Sequence, residues 1–93
     1  MLDTPFSLAG KTVLVTGASS GLGAHFAQVV QRAGANVVVA ARRVERLEQL
    51  AASLQQNGGQ ALAVALDVTR RDSVEQAFNA AQVHFGCIDV VIN

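Results

Sequence analysis

The chain has 93 residues, 51% of them hydrophobic and 15% charged, with seven basic residues against seven acidic ones. That length accommodates one small domain or part of a larger one, and the apolar content excludes a disordered tail. Zero net charge leaves no electrostatic footprint for nucleic acid or an anionic membrane, and a single cysteine excludes an internal disulfide and a cysteine-rich zinc site.

The N-terminal stretch MLDTPFSLAGK lacks a basic region followed by an apolar core, so no secretory signal is expected. No apolar run approaches the roughly 20 residues that a bilayer span requires. A soluble, cytoplasmic protein is the expectation. Residues 12–16 (TVLVT) are β-branched and apolar and run straight into glycine, which predicts a buried strand. A glycine-rich turn follows over 17–23. Leu22, Phe26, Val29, Val30 and Ala33 then share one helical face, and Gly34 suits the helix end. Residues 36–41 (NVVVAA) predict a second strand, and Val44, Leu47, Leu50, Ala51 and Leu54 a second helix ended by Gly58-Gly59. Residues 61–66 (ALAVAL) predict a third strand. Thr69 is placed to cap the next helix, with Asp72 three residues on as an imperfect capping box. Val74, Ala77, Phe78, Ala81 and Phe85 form that helix's apolar face, Gly86 stops it, and 88–92 (IDVVI) predict a fourth strand.

The order is β-α-β-α-β-α-β. Strands joined by helical crossovers run parallel. Continuous apolar strands, without alternation, call for cover on both faces. The fold class is therefore α/β, a doubly wound parallel sheet of Rossmann type with expected strand order 3-2-1-4. Ending on a core strand leaves a raw apolar edge. Residues 1–93 are thus read as the N-terminal part of a dinucleotide-binding domain.

The turn Thr16-Gly17-Ala18-Ser19-Ser20-Gly21-Leu22-Gly23 has the spacing G-x-x-x-G-x-G between a strand and a helix. Gly17 permits a sharp exit from the strand. A side chain at Gly21 would collide with an approaching pyrophosphate, and Gly23 lets the helix pack tightly on the sheet. The N–H groups of the first helical turn and the helix dipole would hold the anion. A tight turn without ligand is the bland alternative, but a glycine pattern opening the first βαβ unit is a specific signal. A P-loop would need Gly-Lys-Ser/Thr, whereas Ala24 follows Gly23.

The segment TGASSGLG preceded by GKTVLV, then Asp67-Val68, then Asp89-Val90-Val91-Ile92-Asn93, resembles the short-chain dehydrogenase/reductases in order and spacing. The resemblance covers nearly the whole chain. The last segment looks like the approach to that family's Asn-Asn-Ala-Gly motif, cut after its first Asn. Extended members such as sugar epimerases have one residue fewer between the first two glycines, and methyltransferases usually carry an acid after the second strand. The resemblance implies hydride transfer between a nicotinamide cofactor and a small-molecule carbonyl or alcohol substrate, and a homo-oligomeric parent. It implies cofactor contacts from Gly17, Ser19, Ser20, Gly21, Leu22 and Gly23. It places Asp67 at the adenine amino group with Val68 beside the ring, and Asn93 at the cofactor ribose.

The position after the second strand discriminates between cofactors. An acid there binds the ribose 2′-OH of NAD, whereas Arg nearby accommodates the 2′-phosphate of NADP. Ala41 occupies the acid position and Arg42 follows, so NADP is favoured, with NAD the alternative. Ser19 or Ser20 would assist, and Arg43 is expected in solvent or beside the adenine.

His25 and His84 sit on different helices without a third ligand and make a poor metal site. Cys87 reads as a small inert hydrophobe. Asp3, Glu45, Glu48, Asp72 and Glu75 read as solvated charges, and Phe26, Phe78 and Phe85 as core. The family's general acid is a Tyr with a Lys four residues later. This chain has no tyrosine, and its one lysine, Lys11, precedes the first strand. Catalytic residues are therefore expected downstream of Asn93, and the chain itself is expected to hold only the adenine and pyrophosphate half of the site. A non-catalytic nucleotide-binding remnant or interaction module is the rival reading. A purely structural α/β domain would leave the glycine loop and Arg42 unexplained.

Overall fold

The computed structural model describes residues 7–56 and 58–92. Strands and helices alternate: β1 (Thr12–Thr16), α1 (Gly21–Arg32), β2 (Asn36–Ala41), α2 (Val44–Gln56), β3 (Ala61–Ala65), α3 (Arg71–Phe85) and β4 (Val90–Ile92). The strands form one parallel sheet in the order β3-β2-β1-β4, the order expected from the sequence. Val13 lies opposite Val37 on one side and Val90 on the other, so β1 is central.

Successive side chains in the central strands point to opposite faces. Val13, Val15, Val37 and Val39 pack with Ala27 and Val30 of α1 and Leu47, Ala51 and Leu54 of α2. Leu14, Val38 and Ala40 pack on the other face with Ala77 and Ala81 of α3. Two helices thus cover one face and one covers the other. Each fully buried valine or leucine contributes about 1.5–3 kcal/mol of transfer free energy. Because both faces are dry, β1 and β2 show no polar alternation.

Three local expectations need correction. The buried face of α1 is Gly23, Ala27 and Val30, while Leu22, Phe26 and Val29 are 66%, 39% and 44% exposed. Small residues meet the sheet because the helix approaches it closely, and this turns the larger side chains to the flank. Thr69 does not cap α3. Its N-cap is Arg70, without a side-chain capping bond, and Asp72 pairs with Arg70 at 2.9 Å instead of closing a capping box. The strands are also shorter than expected. Leu66 is buried but lies beyond β3, and Ile88 packs on the α3 side before β4 begins.

Asp89 explains why β4 starts late. Its Oδ2 accepts the Thr12 N–H at 2.8 Å, and its own N–H donates to the Thr12 carbonyl at 2.9 Å. One residue thus uses side chain and backbone to clamp the start of β1. Among the described residues, no helix is long and apolar enough to cross a membrane.

Candidate functional site

In a parallel sheet all the strands deliver their carboxyl ends to one edge, and loops there can converge. Here that edge gathers the glycine turn after β1, Arg42 and Arg43 after β2, and Asp67 and Val68 after β3.

The glycine turn is built by its own hydrogen bonds. Gly17 adopts φ +66°, a left-handed value that side chains resist. Ser20 caps α1. Its Oγ accepts the Gly23 N–H at 3.1 Å and donates to the Gly17 carbonyl at 2.9 Å. The Ala18 N–H donates to the Ala40 carbonyl at 3.2 Å, tying the turn to the end of β2. Any Cβ at Gly23 would meet the Gly17 carbonyl oxygen and approach the Ala18 Cα to 2.8 Å. Gly23 therefore packs against the turn itself, where sequence reasoning had placed the sheet.

Gly21 differs. A Cβ there would meet nothing within 4 Å. The space over the first turn of α1 is open, and the N–H groups of Gly21 and Leu22 have no hydrogen-bond partner among the described residues. Helix N–H groups aimed into open space, with no acid in the first turn of α1, suit an anion. These residues fit the pyrophosphate of a dinucleotide.

The turn separates two clefts. One, of about 730 Å³, lies towards β2 and β3 and is lined by Ser19, Ala41, Arg42, Arg43, Leu66 and Val68 among others. The other, of about 200 Å³, lies towards β4 and includes Ser20, Leu22, Phe26 and Ile92. Ser19 and Ser20 thus face different clefts, and the Ser20 hydroxyl is committed to the turn. Of the two serines, Ser19 is the one beside the arginines. Phe26 and Ile92 were not singled out as site residues from the sequence. Helical periodicity alone counts Phe26 as core.

Asp67 is held tightly. Its Oδ1 accepts from the Thr69 hydroxyl at 2.6 Å and from the Thr69 N–H at 3.0 Å, and its own N–H donates to Ser73 Oγ at 2.9 Å. Its Oδ2 lies 3.9 Å from Arg42 Nε. The Thr69 hydroxyl, then the Thr69 N–H, hold this carboxyl below the usual aspartate range. The charges of Arg42 and Arg70 contribute less, and partial burial opposes them. The spacing D-x-T was a legible signal for such a turn.

The remaining candidates lie elsewhere. His25 and His84 are exposed, and no group of three metal-ligating side chains forms among the described residues. Cys87 is exposed, with Sγ 3.8 Å from Asp89 Oδ1. Asn93 lies outside the described residues. A further cleft of about 490 Å³ opens around Gln31, Gly34 and Gly59, at the end of α1 and the approach to β3.

Comparison with known proteins adds independent information. The family model described as short chain dehydrogenase matches residues 11–93. A farnesol dehydrogenase of Aedes aegypti is 44% identical over 86 residues, covering 91% of this chain and 35% of that protein. A short-chain type dehydrogenase/reductase from Mycobacterium marinum superposes with a TM-score of 0.88 at 40% identity, over 92% of this chain and 35% of its own. A hydroxysteroid dehydrogenase from Escherichia coli gives 0.90 at 32% identity, over 94% of this chain and 36% of its own. The chain spans about a third of the length of the curated relatives it matches.

Proposed function

The chain belongs to the short-chain dehydrogenase family, and from that premise we propose that it supplies the adenine and pyrophosphate half of an NADP(H) site in an oxidoreductase. Residues 1–93 are the N-terminal part of that cofactor domain. The cofactor, when bound, supplies the hydride exchanged with a carbonyl or alcohol carbon. Gly17, Gly21, Leu22 and Gly23 form the turn and helix start that receive the pyrophosphate, and Ser20 holds the turn in shape. Val68 lines the adenine cleft, and Asp67 stands at its β3 end. Arg42 and Ser19 bind the 2′-phosphate, with Arg43 beside them. Asn93 serves the ribose.

The observation that carries the NADP(H) preference is the end of β2. Ala41 stands where an acid would bind a 2′-hydroxyl, and it lines one cleft with Arg42, Arg43 and Ser19. A guanidinium pairs with a phosphate through two parallel hydrogen bonds. The general acid and its lysine partner come from sequence beyond these residues, since the chain has no tyrosine. For the same reason the 93-residue chain by itself does not turn over substrate, and with only half of the cofactor site it does not bind NADP(H) tightly. The parent is a cytoplasmic homo-oligomer. A farnesol dehydrogenase and a hydroxysteroid dehydrogenase among its relatives differ so much in substrate that the class stays at carbonyl or alcohol.

Calorimetric titration of the full-length parent protein with adenosine 2′,5′-bisphosphate and adenosine 5′-monophosphate tests this reading. The bisphosphate should bind more tightly, and Arg42→Ala should weaken it about tenfold, as losing a charged hydrogen-bonded pair would. Equal affinities would overturn the NADP(H) preference. Failure of both nucleotides to bind would overturn the cofactor site.

A further inference from the structure

We infer that Thr69 is a specificity-determining positioning residue for the 2′-phosphate. Its hydroxyl ties down one oxygen of Asp67, so that Asp67 meets Arg42 through the other oxygen alone and leaves the outer edge of the guanidinium for the phosphate. This inference rests on the NADP(H) reading above and deepens it.

Three geometric facts carry it. Asp67 Oδ1 already accepts two hydrogen bonds, from the Thr69 hydroxyl at 2.6 Å and the Thr69 N–H at 3.0 Å. The Asp67 backbone is anchored by its N–H to Ser73 Oγ at 2.9 Å, so the carboxylate stands on a fixed base. Finally, the near contact to Arg42 is Oδ2 to Nε at 3.9 Å, on the stem side of the guanidinium, with the Arg42 side chain 79% exposed and that of Asp67 26%.

A carboxylate with both oxygens available pairs with arginine bidentately, through two parallel N–H donors. Such a pair would occupy the donors that a 2′-phosphate needs. Thr69 prevents it by holding Oδ1 away. Asp67 then acts as a long-range tether on Nε: close enough to orient Arg42 over the cleft, too far to satisfy it. Removing the hydroxyl leaves Oδ1 on the Thr69 N–H alone, which loosens the carboxylate enough to turn towards Arg42 and sets acid and phosphate in competition for the same donors.

The test compares Thr69→Val, Thr69→Ala and Thr69→Ser with the unsubstituted protein, all in the full-length parent. Affinities for adenosine 2′,5′-bisphosphate and adenosine 5′-monophosphate are measured by calorimetry. Thr69→Val and Thr69→Ala should each lower the preference for the bisphosphate by about two- to fivefold, the range of an exposed ion pair, and leave the monophosphate unchanged. Thr69→Ser keeps the hydroxyl and should restore the preference. The Arg42 Nε–H resonance should shift in the Val and Ala variants, and not in Ser, before any nucleotide is added. An unchanged preference overturns the inference, as does equal weakening of both nucleotides, which would mark a merely structural role. An unsubstituted full-length protein that binds the monophosphate as tightly as the bisphosphate overturns the NADP(H) reading itself, and the inference with it.

Discussion

Three glycines in one turn do three different jobs, and their surroundings separate them. Gly17 is needed for its backbone angle, φ +66°. Gly23 is needed for space, because a Cβ would press on the Gly17 carbonyl and the Ala18 Cα. Gly21 is needed by neither criterion, since a Cβ would meet nothing within 4 Å. The proposed pyrophosphate site would give it a role. Gly23→Ala should therefore destabilise the chain by about 1–3 kcal/mol, the usual cost of overpacking. Gly21→Ala should leave the denaturation midpoint within about 0.5 kcal/mol, as for substitutions away from packed features. It should nonetheless weaken nucleotide binding at least about tenfold, a penalty of roughly 1.4 kcal/mol. Urea melts and nucleotide titrations on the two variants separate these effects. The glycine spacing itself was legible in the sequence. Which glycine serves the fold and which the ligand was not, because that depends on what stands opposite each Cα.

At the scale of elements, the apolar residues of a helix do not by themselves reveal which face meets the sheet. In α1 the larger apolar residues Leu22, Phe26 and Val29 are exposed, and Gly23, Ala27 and Val30 are buried. Close approach favours the small side chains, and this reverses the weighting that periodicity gives to size. The contrast can be tested on neighbouring valines. Val30→Ala should cost about 2 kcal/mol as a large-to-small core change. Val29→Ala should stay within about 0.5 kcal/mol. Thermal or chemical denaturation of the two variants reads the difference directly, and equal losses would restore the wider stripe. The start of α3 makes a related point. Thr69 has the right chemistry for a cap, but the Asp67 carboxylate two residues back holds its hydroxyl at 2.6 Å. The bond turns the hydroxyl back towards β3, and the helix begins one residue later than expected, without a side-chain cap.

For the whole molecule, the sheet is asymmetric in its protection. β1 and β2 have strand neighbours on both sides. β4 pairs only with β1 among the described residues, and its Val90 and Val91 are 40% and 45% exposed. The flank of α1 that carries Leu22 and Phe26 adjoins Ile92 across the smaller cleft. An apolar edge strand beside an apolar helix flank is a template for association. The isolated 93-residue chain should therefore self-associate with rising concentration and melt broadly, with a small domain's limited burial adding to the effect. Val91→Lys should reduce the association, since charge on an edge strand opposes pairing. Sedimentation velocity over a concentration series checks both statements. A monomer at every concentration with a sharp cooperative melt would contradict them.

The sequence by itself determined the alternation of strands and helices, the parallel sheet and its order. Those follow from continuous β-branched runs, helical stripes and crossover lengths, all of which are local patterns. It also marked a candidate anion site, because G-x-x-x-G-x-G at the end of the first strand has few other physical uses. Only the tertiary structure decided how neighbouring residues divide the work. It placed Ser19 with the arginines and Ser20 in the turn. It set Asp89 on the start of β1 across 77 residues of chain, and Thr69 on Asp67 rather than on a helix end. Each of those outcomes is a competition between donors and acceptors brought together by folding. A linear sequence names the competitors, and the distances that decide the competition exist only once the sheet has formed.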